Sequence, residues 1–198
     1  MLDATRPHLL HVLGANCLRL LSPHLGLNTS FAHTDALSGD VAFVSQSGAL
    51  VTAVLDWAKS RRFSHMVSLG ERIDVDFGDL LDYLASEARM RAILLYIESF
   101  EAPRKFMSAA RAAARNKPVI VVKAGRASNG LKAAASHSGA LAGSDTVFDA
   151  ALRHAGMLRV DISVEHLAPE DVRLRFFSSR RGTAAQRTRA TDADRLCT

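Results

Sequence analysis

From Asp40 to Val160, short apolar runs alternate with stretches in which apolar residues recur at helical spacing. Val41–Ser45 reads as a buried strand, and Gly48–Ala58 as the helix that follows it. Strand His65–Leu69, helix Phe77–Ala85, strand Ala92–Ile97 and helix Pro103–Ala114 continue the series. Strand Pro118–Lys123, a loop rich in small residues, helix Ser144–Ala155 and strand Met157–Val160 complete it. Strands that are apolar throughout are covered on both faces, and intervening helices supply the crossovers of a parallel sheet. The pattern therefore predicts an α/β fold, a doubly wound parallel sheet of about five strands with helices on both faces.

Five strands in this rhythm fit the flavodoxin-like arrangement, whose functional edge lies at the C-terminal ends of the strands. The two ends of the chain read differently. Leu13–Pro23 reads as a last strand and linker, and residues 1–27 as the remnant of a preceding domain. Residues 28–161 form the predicted domain; after Asp161 the rhythm stops. Residues 182–198 lack apolar periodicity, so the end of the chain is expected to be a disordered tail.

Composition narrows the class only a little. A chain of 198 residues with 48% hydrophobic and 23% charged content can bury one good core. The longest apolar run, Ala92–Ile97, is far too short for a membrane-spanning helix. Met1-Leu-Asp-Ala-Thr-Arg6 has no basic stretch followed by an apolar one, and Cys17 and Cys197 match neither a zinc spacing nor a disulfide framework. The expectation is a cytoplasmic protein with no membrane and no metal site. Its net charge of +5 owes much to the six arginines of residues 173–189, a segment without acids or an aromatic platform. That reads as a solvated tail, and no nucleic acid is expected as partner.

Three elements carry chemistry, and the predicted topology brings them to one edge. The turn Ser45-Gln-Ser-Gly48 joins a strand directly to a helix, where free backbone amides attract an anion. An ordinary helix cap is the simpler reading of that turn taken alone. Glu98 follows the strand Ala92–Ile97. It reads as a solvated loop residue, or as a carboxylate that fixes the tautomer of an imidazole. His137 lies in Lys132-Ala-Ala-Ala-Ser-His-Ser-Gly-Ala-Leu-Ala-Gly143, whose small side chains let a ring approach a substrate. Gly139, in the same loop, joins Ser45, Ser47 and Gly48 as a phosphate-binding candidate. The chain has no clear hydrolase triad, no Gly-x-Ser-x-Gly elbow, no Walker A loop and no Gly-x-Gly-x-x-Gly. A nucleophilic imidazole with a carboxylate orienter is the most coherent site.

Several motifs occur in order: Val44-Ser-Gln-Ser-Gly-Ala-Leu50, Val67-Ser-Leu-Gly70, Asp74–Tyr83, Ala92–Glu98, Lys117–Val122 and the His137 loop. Over about residues 14–161 they resemble the ligase-type flavodoxin domain of ADP-forming acyl-CoA synthetases, relatives of the succinyl-CoA synthetase alpha subunit. The resemblance implies that His137 carries phosphate between an acyl phosphate and ADP or ATP. It implies that Glu98 positions the ring and that Ser47-Gly48 open the helix facing the phosphate. CoA and ATP or ADP with Mg are the implied cofactors of the full-length family, with none held tightly by this chain. The implied partners are an ATP-grasp (beta-type) subunit or domain and a CoA-binding domain, and a homo-oligomer is compatible.

The chain also departs from that pattern. Where the family has Gly-Pro-Asn-Cys-Leu-Gly, it reads Gly14-Ala-Asn-Cys-Leu-Arg19. Leu167–Phe177 resembles the opening of the GNAT-type acetyltransferase module found in some relatives, which suggests a rearranged piece of a protein acetyltransferase/acyl-CoA synthetase fusion. Three readings follow: a phosphotransfer domain incomplete by itself, a non-catalytic remnant or interaction domain, and, least favoured, a lysine acetyltransferase.

Overall fold

The computed structural model describes residues 2–57, 62–124 and 145–160. The predicted alternation is present. In chain order the elements are α1 (Leu2–Thr5), β1 (Arg19–Ser22), β2 (Leu27–Asn28), β3 (Leu37–Ser45), α2 (Gly48–Trp57) and β4 (Arg62–Ser68). They continue with α3 (Phe77–Ser86), β5 (Ala92–Ile97), α4 (Pro103–Asn116), β6 (Val119–Lys123), α5 (Asp145–Ala155) and β7 (Leu158–Val160).

All seven strands join one sheet in the order β2-β1-β4-β3-β5-β6-β7. The five from β3 to β7 run parallel, as the apolar strands and crossover helices require. Their order within the sheet makes β3 and β5 the neighbours at which the winding reverses direction. β1 and β2 are an addition at the β4 edge. β1 lies antiparallel to β4, with Leu20 opposite Val67, and β2 lies antiparallel to β1. The strand expected within Leu13–Pro23 is β1, which joins this sheet and is followed there by the two-residue β2.

Two cores flank the sheet. On one face Leu81 and Leu84 of α3, Ala110 and Ala113 of α4, and Phe148 and Leu152 of α5 bury against Val44, Ile93, Leu95, Ile97 and Val121. On the other, Val51 and Leu55 of α2 pack on Leu21, Phe43, Phe63 and Met66. α3 begins with a capping box: the Asp76 carboxylate accepts from the amides of Gly78 and Asp79, and the Asp79 carboxylate accepts in turn from the Asp76 amide. Among the described residues no helix is long and apolar enough to cross a membrane.

Among the buried polar groups is a histidine. His65 of β4 is 3% exposed. Its ring lies 5.0 Å from that of His24 and 5.8 Å from that of Tyr83, and its Nδ1 has no partner among the described residues. Burial pushes its pKa down and the neighbouring His24 adds to this, while the charge of Glu87 opposes it. The folded state therefore resists protonation at His65 more than the unfolded chain does. Its contribution to stability is complete above the unfolded value near 6.5 and is lost as pH falls below it. Urea unfolding should show stability declining from pH 7 to pH 5, with His65 supplying at most about 1.4 kcal/mol per pH unit. A His65→Phe variant should show a shallower decline; an unchanged slope would assign the effect elsewhere.

Candidate active site at the sheet switch point

β3 ends at Ser45 and β5 at Ile97, side by side, with Ser45 opposite Tyr96 in the parallel register. The chain leaves β3 through Gln46 and Ser47 into α2, and leaves β5 through Glu98 and Ser99. Both loops therefore emerge at the point where an open α/β sheet forms a natural crevice.

Inside the first turn the serine hydroxyls are already engaged. Ser45 Oγ donates to the carbonyl of Ser47 at 2.8 Å and accepts from the Ser47 amide at 3.0 Å. Ser45 is fully buried, so its hydroxyl shapes the turn. Ser47 Oγ accepts from the Leu50 amide at 3.3 Å, which is the helix cap that its sequence position allowed. The amides of Gly48 and Ala49 are the first-turn donors with no acceptor among the described residues. Gly48 also lets the helix start press close, because a Cβ there would sit 3.3 Å from the Leu18 amide nitrogen and 3.4 Å from Ser68 Oγ.

Gln46 joins the two loops. Its backbone amide donates to the Tyr96 carbonyl at 3.1 Å. Its side-chain oxygen accepts from the amides of Glu98 at 3.0 Å and Ser99 at 3.1 Å, while Nε2 donates to Ser99 Oγ at 3.1 Å. The backbone of Glu98 is thereby tied to the residue between Ser45 and Ser47. The side chain of Glu98 is half-buried. Burial and the charge of Glu98 together push the Tyr96 phenol up to about 12, which sets that carboxylate in the electrostatic reach of the β5 tyrosine.

A cation lies further along the same edge. Lys123, opposite Ile97 in the register, is buried and holds its ammonium 5.2 Å from the Phe148 ring. Burial pushes its pKa down; Asp145 opposes this and Arg159 adds to it. Among the described residues no three His, Cys, Asp or Glu side chains gather in a way that would hold a metal ion.

The structure brings Ser45, Ser47, Gly48 and Glu98 to one edge. His137 and Gly139 lie outside the described residues, as does everything after Val160. Gln46, Tyr96 and Ser99 escaped the sequence reading, although Gln46 stands inside the Ser45–Gly48 motif. So did Arg72, whose loop carries no periodic signal.

Comparison with known proteins agrees with this architecture. Residues 38–168 match the family described as the succinyl-CoA ligase like flavodoxin domain. The acetate–CoA ligase (ADP-forming) I of Archaeoglobus fulgidus is 44% identical over 158 residues, covering 79% of this chain and 23% of that protein. The alpha subunit of acetate–CoA ligase (ADP-forming) I of Pyrococcus furiosus is 41% identical over 161 residues, covering 80% of this chain and 35% of that one. Among solved structures, the dinucleotide forming acetyl-coenzyme A synthetase 1 of Ca. Korarchaeum cryptofilum, in complex with phosphate and ADP, superposes with a TM-score of 0.75 at 37% identity. That match covers 82% of this chain and 36% of the other. The chain thus spans about a third or less of the length of these relatives.

Proposed function

Since the chain belongs to the succinyl-CoA ligase like flavodoxin domain family, we propose that it is the phosphohistidine-carrying domain of an ADP-forming acyl-CoA synthetase, acting on acetyl-CoA or a similar thioester. The observation that carries this reading is the meeting of Glu98 with the N-terminus of α2 at the switch point, through Gln46. The names of the relatives, acetate–CoA ligases that form ADP, support the reaction class.

In this reading an acyl phosphate, formed when phosphate displaces CoA from the thioester, reaches the switch point. An imidazole nitrogen of His137 attacks phosphorus, the bond to the acyl oxygen breaks, and the carboxylate leaves with the electron pair. Glu98 accepts a hydrogen bond from the other ring nitrogen, which fixes the tautomer and balances the charge that develops on the ring. The amides of Gly48 and Ala49, at the positive end of α2, receive the phosphoryl oxygens. A terminal oxygen of ADP then takes the phosphoryl group to give ATP and frees the imidazole. Mg supplied with the nucleotide would offset the phosphate charge. CoA and nucleotide binding belong to further domains or to a partner subunit, which agrees with relatives that are named as alpha subunits.

The test is a phosphorylation assay on the whole chain, using acetyl phosphate, or ATP with Mg and an ATP-grasp subunit from a related synthetase. Wild-type protein should take up an acid-labile, base-stable label, and His137→Ala should lose it while keeping its circular dichroism spectrum and melting temperature. Labelling that survives in His137→Ala would refute the phosphohistidine reading.

A further inference from the structure

Arg72 is buried, with its side chain 4% exposed, in the loop between β4 and α3. Its backbone adopts φ 53°, in the left-handed region that non-glycine residues rarely enter and that is concentrated at functional sites. One guanidinium nitrogen donates to Ser99 Oγ at 3.1 Å and to Glu101 Oε1 at 2.7 Å. The other terminal nitrogen has no partner among the described residues. This is a poor device for stability. Glu101 is 57% exposed, so the ion pair is screened by water, and a buried guanidinium that is only half satisfied is costly. What the arrangement does provide is geometry.

Ser99 Oγ accepts from two directions, from Arg72 on one side and from Gln46 Nε2 on the other. Gln46 in turn takes the amides of Glu98 and Ser99. A continuous set of hydrogen bonds thus runs from the β4–α3 loop through Ser99 and Gln46 to the backbone of Glu98, linking three loops that leave three neighbouring strands. Linked hydrogen bonds of this kind strengthen one another and hold a side chain to one placement. We propose that Arg72 is a positioning residue that fixes Glu98 at the switch point by clamping Ser99 and, through it, Gln46. The importance of Glu98 to catalysis rests on the reading given above; the clamp itself does not. Arg72 lines a cleft with Phe77, Ser99, Glu101 and Phe106. Losing its donors would expose the Ser99 end of the clamp to water entering there.

Two measurements on the full chain test this. In Arg72→Met, which keeps the aliphatic stem, hydrogen exchange at the amides of Glu98 and Ser99 should speed up at least tenfold, with the β6 amides unchanged. Arg72→Lys, which restores one donor, should recover part of that protection. Glu101→Gln, which leaves the bond to Ser99, should exchange as wild type does. If Arg72→Met does not fold, Ser99→Ala removes the shared acceptor and should loosen the same two amides. Wild-type protection in Arg72→Met, or in Ser99→Ala where Arg72→Met does not fold, would overturn the clamp, whatever the phosphorylation assay shows. In that assay Arg72→Met should lose labelling rate as Glu98→Gln does, and the double variant should lose no more than either. Rapid exchange with labelling intact, in a protein where Glu98→Gln destroys labelling, would overturn the positioning role. If Glu98→Gln itself labels normally, the reading of Glu98 fails, and hydrogen exchange alone decides the clamp.

Discussion

Alanine at position 70 is expected to cost the domain about 3 kcal/mol or more, through backbone strain and overpacking together. Gly70 follows β4 with φ 57°, and a Cβ on it would lie 2.1 Å from the Ala15 carbonyl oxygen and 2.5 Å from that of Asn16. Both obstacles are backbone atoms, which cannot swing aside as a side chain can. They belong to a segment that is itself pinned to this loop. Ala15 and Gly14 accept from the amides of Glu71 and Ile73, Val12 accepts from that of Val75, and the Val12 amide donates to Asp74 at 2.7 Å. The methyl group would pry this crossing open and disturb Arg72 two residues on. Urea unfolding of Gly70→Ala against wild type measures the effect. A loss below about 1 kcal/mol would mean that the segment yields at little cost, within the range of an ordinary surface change.

Glu98→Gln should slow acid-labile phosphorylation about a hundredfold or more, the scale at which a positioned acid–base partner acts. The substitution is nearly isosteric and leaves the backbone bonds to Gln46 in place, so folding should be unaffected. What disappears is the negative charge that would balance a cationic imidazole. The same loss has a second signature: Tyr96, now pushed up to about 12 by burial and by Glu98, should titrate lower, with the part due to burial remaining. A spectroscopic titration in a Tyr83→Phe background isolates that phenol, since the chain has only two tyrosines. Unchanged labelling would remove Glu98 from the mechanism; an unchanged phenol would show that its carboxylate points away from β5.

The interior strands were legible because both of their faces are covered. Ile93, Leu95 and Ile97 serve the core on one side, while Leu94 and Tyr96 pack against the other, so the run is apolar throughout. The beginning of β3 was not. Leu37–Asp40 includes Ser38, Gly39 and Asp40, and its strand character comes from pairing with β4, as in Ser38 opposite Phe63, with a register shift before Ala42. β1 was read as a strand, but of a preceding domain, because its antiparallel place beside β4 leaves no local signal. β2 was hidden altogether: two residues are too few for a periodic signal, and tertiary pairing alone defines them. At the site, strand ends announced Ser45–Gly48 and Glu98. The clamp of Gln46, Ser99 and Arg72 was unreadable, because no local pattern tells which loops will cross at a sheet edge.

The hairpin that β1 and β2 add beside β4 also bears on how the protein behaves in company. Without it, Met66, Val67 and Ser68 of β4 would offer bare amides and carbonyls to any extended chain, the kind of template on which proteins associate strand to strand. With it, the outermost strand on that side is only two residues long. A boundary drawn at residue 28, where the predicted domain begins, would cut this guard away and leave an adhesive border. The residues ahead of the rhythm are what keep the sheet to itself.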